Sequence, residues 1–173
     1  SIAANRPNYS ANDLSVLEQR IDAQLDGLMT TPEDSWEICL PTLEVGDPGE
    51  IFTAAMLAFR SLDVIKIQQV VEAGLVNGEA AKGLISALGW LPGRLVHSWI
   101  KKFLTSKSLD HKYLAIAACS VRREDPLDYL TKILQRDDCI AHVKLYARAL
   151  RLVGELKRHD LMPALRIAMS SGE

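Results

Sequence analysis

The chain has 173 residues, of which 48% are hydrophobic and 24% are charged, and its formal net charge at pH 7 is −2. This balance is ordinary for a soluble globular protein, and no apolar run approaches the roughly 20 residues that a membrane-spanning helix needs. The sequence therefore excludes a membrane-spanning protein, and because the N-terminal stretch lacks the apolar region of a secretory signal, we expect a cytoplasmic location.

The first predicted elements are two helices that together form an N-terminal cap, residues 13–45. Apolar residues recur at i, i+3 and i+4 spacing from Leu14 to Leu28, which predicts an amphipathic helix. Thr31 followed by Pro32 predicts the start of a second, shorter helix, because a hydroxyl N-cap and a proline at the first helical position favour initiation. Residues 1–12 are expected to form a flexible segment.

Four predicted helical hairpins follow in residues 47–173, and the first helix of each contains a similar phrase: AAMLAF, GLISAL, LAIAAC and LYARAL. The fifth position of the phrase is always alanine, and successive alanines lie 29, 31 and 31 residues apart. Such a constant spacing is typical of stacked supersecondary units. Asp47 and Asp63 are predicted N-caps of the two helices of the first hairpin. The four alanines are Ala58, Ala87, Ala118 and Ala149.

The repeated alanine indicates a close crossing between helices. A side chain larger than a methyl group at such a crossing would force the two helices apart, so a small residue at one fixed position sets their distance. We therefore expect all four alanines to be buried. Together with the N-terminal cap, the hairpins are predicted to form a single repeat domain, residues 13–173.

Two segments carry a resemblance to a known family: LAIAAC with the Asp125-Pro126 turn, and ARALRLVGEL with Asp160 and Pro163. They resemble the HEAT-like repeat superfamily, particularly its bacterial phycobilisome-lyase-type units, although the period is shorter than the roughly 40 to 47 residues of HEAT repeats. The opening helix and VGDPGEIFTAAMLAF are similar to an uncharacterised proteobacterial HEAT-repeat family. The resemblance covers roughly residues 47–170. It implies an all-α fold, an α-solenoid of about four HEAT-like hairpins preceded by a capping helix pair, and it supplies no enzymatic residue.

Sequence signals for catalysis are missing. The chain contains no Walker phosphate loop, no GxGxxG, no nucleophile elbow and no HExxH. Its three cysteines, Cys39, Cys119 and Cys139, form no close pair and are interpreted as structural thiols in a reducing compartment. Cys139 and His142 have the i, i+3 spacing of one helix face, and Cys119 and His111 are conceivable further ligands, but a structural zinc site usually shows two well-spaced ligand pairs. We expect no catalytic residue, no cofactor and no metal.

Charge is distributed unevenly along the chain. Residues 1–80 contain 4 Lys+Arg against 13 Asp+Glu, a net charge of −9, and residues 81–173 contain 16 against 9, a net charge of +7. This segregation is compatible with an acidic or nucleic-acid partner for the basic half, with head-to-tail self-association, or with solvated helix faces alone. The surface that we expect to bind an acidic partner protein lies on the second helices of the hairpins and consists of Lys101, Lys102, Lys132, Arg136 and Arg166.

The sequence favours a non-catalytic scaffold or adaptor that binds another protein. One alternative is a nucleic-acid-binding HEAT-like protein related to DNA alkylation repair, because Trp99 lies among the cations, although its spacing is that of a core residue. The other is a lyase-type enzyme that acts on a protein-bound group. No polar capping helix follows the fourth hairpin, so we expect either that the natural chain continues beyond Glu173 or that exposed repeat ends pair in an oligomer.

Overall fold

The computed structural model of the chain describes residues 11–170. Within this range the regular secondary structure is helical, which confirms the predicted all-α class. Two compact units are present, of which the first ends at Leu91 and the second begins at Pro92. The predicted flexible segment, residues 1–12, lies outside the described residues except for its last two, which begin the first helix.

The first unit begins with the predicted pair of N-terminal helices and continues with three further α-helices. Its described elements are α1 (Ala11–Leu28), α2 (Pro32–Cys39), a 3₁₀ segment (Leu40–Glu44), α3 (Pro48–Ser61), α4 (Val64–Leu75) and α5 (Gly78–Trp90). The side chains of Asp47, Asp63 and Asn77 accept backbone N–H groups at the starts of α3, α4 and α5. Thr31 precedes α2 but makes no side-chain cap hydrogen bond, so that predicted cap is wrong.

The core of the first unit is built around α3, which packs against α4 and α5. Ile51, Met56 and Phe59 on α3 are completely buried. Where α3 begins, α5 approaches it so closely that a Cβ atom on Gly83 would lie 2.1 Å from the carbonyl oxygen of Pro48. Lys66 on α4 is also buried, and its ammonium group lies 2.7 Å from a carboxylate oxygen of Glu33 on α2. The close approach at Gly83 thus connects α5 to α3, and the ion pair connects α4 to α2.

The division after Leu91 separates the two helices of the second predicted hairpin, so the second unit contains the second helix of that hairpin and the third and fourth hairpins. Its described elements are α6 (Gly93–Thr105), α7 (Leu109–Arg122), α8 (Asp128–Gln135), α9 (Asp137–Ala141), α10 (Val143–Glu155), a 3₁₀ turn (His159–Leu161) and α11 (Met162–Ser170). The sequence pattern predicts one helix from about Asp138 to Leu156, but the structure divides it at His142. The division is stabilised locally, because Nδ1 of His142 accepts the N–H of Leu145 at 3.2 Å and so caps α10.

A buried lysine connects α6 and α7 in the second unit. Lys112 is 6% exposed, and its ammonium group donates a hydrogen bond of 2.8 Å to the carbonyl oxygen of Leu104 in the last turn of α6. Burial lowers the pKa of Lys112, because loss of water disfavours its charged form. The helix dipole is negative at a C-terminus, so a cation is favoured there. Lys112 therefore acts as a side-chain cap for α6.

The four repeated alanines are completely buried, as the sequence predicts. In the first unit the helices that carry them, α3 and α5, pack against each other, and in the second unit α7 and α10 do the same. Successive first helices of hairpins therefore pack side by side within each unit.

Candidate functional site

The structure places all five predicted partner-binding cations on the exposed surface of the second unit. Lys101 and Lys102 lie on α6, Lys132 lies on α8, Arg136 lies between α8 and α9, and Arg166 lies on α11. α6 packs against α7, and α8 and α11 both pack against α10. Four of the side chains are thus carried by three helices and the fifth, Arg136, by a helix junction, and their joint role in binding stays a prediction.

Two of these lysines lie over aromatic rings of their own helices. The ammonium group of Lys102 is 4.3 Å from the ring centroid of Trp99, and that of Lys132 is 5.6 Å from the ring centroid of Tyr129. A cation over an aromatic ring gains about 0.5 to 1 kcal/mol at an exposed site. The aromatic residue precedes the lysine by three positions in both cases, a spacing that is visible in the sequence. We call the exposed residues Lys101, Lys102 and Lys132 the lysine surface.

Arg136 differs from the lysines because a carboxylate two positions further along the chain binds its guanidinium group. Its Nε and Nη2 atoms donate to the two carboxylate oxygens of Asp138 at 3.0 and 2.6 Å. This hydrogen bonding lowers the pKa of Asp138 to about 2. The positive charge of Arg136 is therefore largely offset by Asp138, and Arg136 attracts an acidic partner less strongly than the three lysines do.

The turns of the second unit contain an ion-pair network that the sequence does not reveal. Arg158 donates from Nη1 to both carboxylate oxygens of Asp125, at 2.7 and 2.9 Å, and from Nη2 to Asp160 at 2.8 Å. Asp125 also accepts the N–H of Leu127 at 2.8 Å, within the turn that precedes α8. Arg158 thereby connects the turn between α7 and α8 to the turn before α11, which is a structural role.

Hydrogen bonds favour the charged form of two further carboxylates in the second unit, Glu124 and Glu155. Partial burial disfavours the charge of Glu124, but hydrogen bonds from His97 and Arg122 outweigh that effect and lower its pKa. Burial likewise opposes the charge of Glu155, and hydrogen bonds from Ser120 and Arg151 lower its pKa. These carboxylates therefore bind protons less readily in the folded chain than in the unfolded chain.

Acid is consequently expected to destabilise the second unit. Folding lowers the pKa of Glu124 and of Glu155. Their contribution to the free energy of unfolding is therefore fully present above the unfolded glutamate pKa of about 4.3, and it is lost as the pH falls below that value and through the lowered pKa values of the folded state. Urea unfolding at about pH 6 and about pH 3.5 measures this loss. The variant E124Q/E155Q should be less stable at the higher pH and should lose less stability on acidification. Parallel pH dependence of the two proteins would contradict this assignment.

A second candidate site, absent from the sequence-based predictions, is an open cleft in the first unit with a volume of about 740 Å³. It lies between the 3₁₀ segment and the C-terminal turn of α4. Its apolar lining residues include Leu40, Pro41 and Val76, and its acidic lining residues are Glu44 and Glu72. The volume is within the range of about 300 to 1,000 Å³ that holds a drug-sized ligand. We call it the acidic cleft.

Burial shapes the chemistry of the three cysteines. Burial is the largest cause that raises the pKa of Cys119 to about 12, and it also raises the pKa of Cys39 and Cys139. Thiols with raised pKa values are poor nucleophiles, because the thiolate is the reactive form. Residues 11–170 contain no group of three or more His, Cys, Asp or Glu side chains placed to hold a metal ion.

Comparison of the chain with protein-family models, with curated proteins and with solved structures gave no match. The HEAT-like assignment therefore stays a prediction that depends on the repeat pattern. In the part of the chain that the structure describes, the helices are too short or too polar to cross a membrane.

Proposed function

We propose that this protein is a non-catalytic scaffold or adaptor of the HEAT-like α-solenoid class that binds an acidic partner protein in the bacterial cytoplasm. The observation that carries the proposal is the recurrence of a lysine over an aromatic ring on α6 and α8. Exposed lysines that are partly ordered before binding lose less side-chain entropy when they meet carboxylates. The side-by-side packing of α3 with α5 and of α7 with α10 supports the solenoid class.

A protein partner is favoured over nucleic acid by the surroundings of Trp99. Single-stranded nucleic acid is held by aromatic rings on which bases stack, together with a cationic groove. The Trp99 ring is contacted by the Lys102 ammonium group and lies 5.9 Å from the ring of buried Phe103. These neighbours occupy part of the surface that a base would need. Carboxylates, by contrast, reach Lys101 and Lys102 directly from solvent.

The proposal is tested with a fluorescently labelled polyglutamate peptide and a labelled DNA duplex, each titrated with the protein over a series of salt concentrations. We expect the peptide to bind, and the variant K101E/K132E to bind it at least about tenfold more weakly, equivalent to about 1.4 kcal/mol. The matched control K107E/K144E changes the net charge equally at exposed lysines outside the lysine surface and should retain binding. Circular dichroism checks that both variants are folded.

Each alternative has its own outcome in this experiment. Tight duplex binding with a steep dependence of log affinity on log salt concentration would favour the nucleic-acid function. If K101E/K132E and K107E/K144E weaken peptide binding equally, net charge alone attracts the peptide. The assignment of binding to the lysine surface would then be wrong. Failure of the wild-type protein to bind the peptide even at low salt would contradict the proposed function.

A further inference from the structure

The acidic cleft combines an apolar lining with negative charge. Leu40 and Val76 remain 39% and 78% exposed, respectively, although both are large hydrophobic residues. Glu44 and Glu72 are exposed, and neither is in an ion pair within residues 11–170. An exposed apolar surface bordered by polar residues is typical of an interaction site. The cleft is thus suited to a ligand that presents an apolar side chain next to a cation.

The electrostatics of the first unit strengthen this preference. Residues 1–91 contain 5 Lys+Arg against 13 Asp+Glu, a net charge of −8. Ala73 and Val76 line the cleft at the C-terminal end of α4, where the helix dipole carries partial negative charge. The helix dipole of α4 and the carboxylates of Glu44 and Glu72 therefore both make the electrostatic potential of the cleft negative. Both attract a cation that enters the cleft.

The second unit contains a helix with the required side chains. None of the residues of α11 is buried, whereas α6, α7, α8, α9 and α10 each bury at least one apolar side chain. Arg166 on α11 is exposed, and Met169, one helical turn further on, is 72% exposed. Residues three positions apart lie on neighbouring parts of a helix surface. α11 thus presents a cation beside an uncovered apolar side chain.

We propose that α11 of one molecule docks in the acidic cleft of a second copy of this chain. Arg166 faces Glu44 and Glu72 in this contact, and Met169 covers part of the apolar lining around Val76. Charge complementarity supports a second copy as the occupant, because residues 92–173 contain 15 Lys+Arg against 9 Asp+Glu, a net charge of +6. The contact joins two different surfaces, so it generates head-to-tail association. It involves no residue of the lysine surface, but it uses Arg166, one of the five cations that the sequence assigns to an acidic partner. K101E/K132E leaves Arg166 unchanged, so the two proposals are tested separately.

Sedimentation velocity over a series of protein concentrations at low salt tests this proposal. The mean mass of the wild-type protein should rise with concentration, and added salt should reduce it. E44Q/E72Q and R166Q should each associate at least about tenfold more weakly, whereas E18Q/E37Q and R94Q, which neutralise exposed charges elsewhere, should associate like the wild type. Circular dichroism and urea unfolding establish that the variants are folded.

An equimolar mixture of the two defective variants gives the most specific result. The R166Q molecule keeps an intact cleft, and the E44Q/E72Q molecule keeps an intact α11, so one native contact is available between them. The mixture should form a heterodimer at concentrations at which each variant alone is monomeric. A wild-type protein that is monomeric throughout, or association that survives either variant, would overturn the proposal. If the chain is monomeric but a labelled arginine-containing peptide binds the acidic cleft, the occupant of the cleft is another protein and not a second copy of this chain.

Discussion

Gly83→Ala is expected to lower the free energy of unfolding by about 3 kcal/mol, at the upper end of the usual cost of overpacking. The new Cβ atom would lie 2.1 Å from the carbonyl oxygen of Pro48 and 2.9 Å from the carbonyl carbon. Both are backbone atoms in the first turn of α3, so no side-chain rotation relieves the clash. α5 and α3 would have to move apart, and the apolar residues between them would lose contact.

Urea unfolding followed by circular dichroism measures this effect. Gly78→Ala makes the same chemical change on the same helix, where the added Cβ meets no atom within 4 Å, and should alter stability little. Gly74→Ala should also lower stability, because the added Cβ would lie 2.6 Å from Cδ2 and 2.9 Å from Cβ of the completely buried Leu84, and side-chain rotation relieves only the first of these contacts. Equal stability of Gly83→Ala and Gly78→Ala would show that the helices separate without cost.

The second large effect is expected at a repeated alanine. Ala118→Leu should destabilise the protein by about 1 to 3 kcal/mol, because three additional carbon atoms must enter a packed core. Ala118 is completely buried on α7, which packs against both α6 and α10. Movement away from one neighbour is therefore restricted by the other.

Thermal unfolding of Ala118→Leu and of the control Ala147→Leu distinguishes overpacking from a general effect of leucine. Ala147 is exposed on α10, so the additional carbon atoms of leucine extend into solvent there. We expect a lower midpoint for the first variant and a nearly unchanged midpoint for the second. An unchanged midpoint for Ala118→Leu would contradict the assignment of the repeated alanine to a close helix crossing.

Features of the fold that depend on neighbours in the sequence are predictable from it. Asp47 and Asp63 cap helices as expected, because an N-cap side chain reaches N–H groups two and three residues further on. Helical periodicity identifies the buried face on which the repeated alanines lie. The division at His142 is not predictable in this way, because an imidazole nitrogen replaces the usual hydroxyl or carboxylate oxygen as the capping acceptor.

The candidate sites were only partly predictable, for a related reason. The exposure of the lysine surface follows from amphipathic helices, and the offset of Arg136 by Asp138 involves residues two positions apart. By contrast, the acidic cleft joins the 3₁₀ segment to α4, which lies about 30 residues further along the chain. A single sequence carries no signal for such a juxtaposition. The periodicity that predicts helices does not state which helices meet.

The buried lysines have a consequence for following how the chain unfolds. Lys66 lies in the first unit and Lys112 in the second, and both are shielded from solvent in the folded protein. Amine-reactive reagents should therefore modify the exposed lysines first and reach these two only when their surroundings open. Mass spectrometry of the labelled peptides gives each unit its own native reporter. The relative labelling rates of Lys66 and Lys112 then reveal whether the two units open together or one at a time.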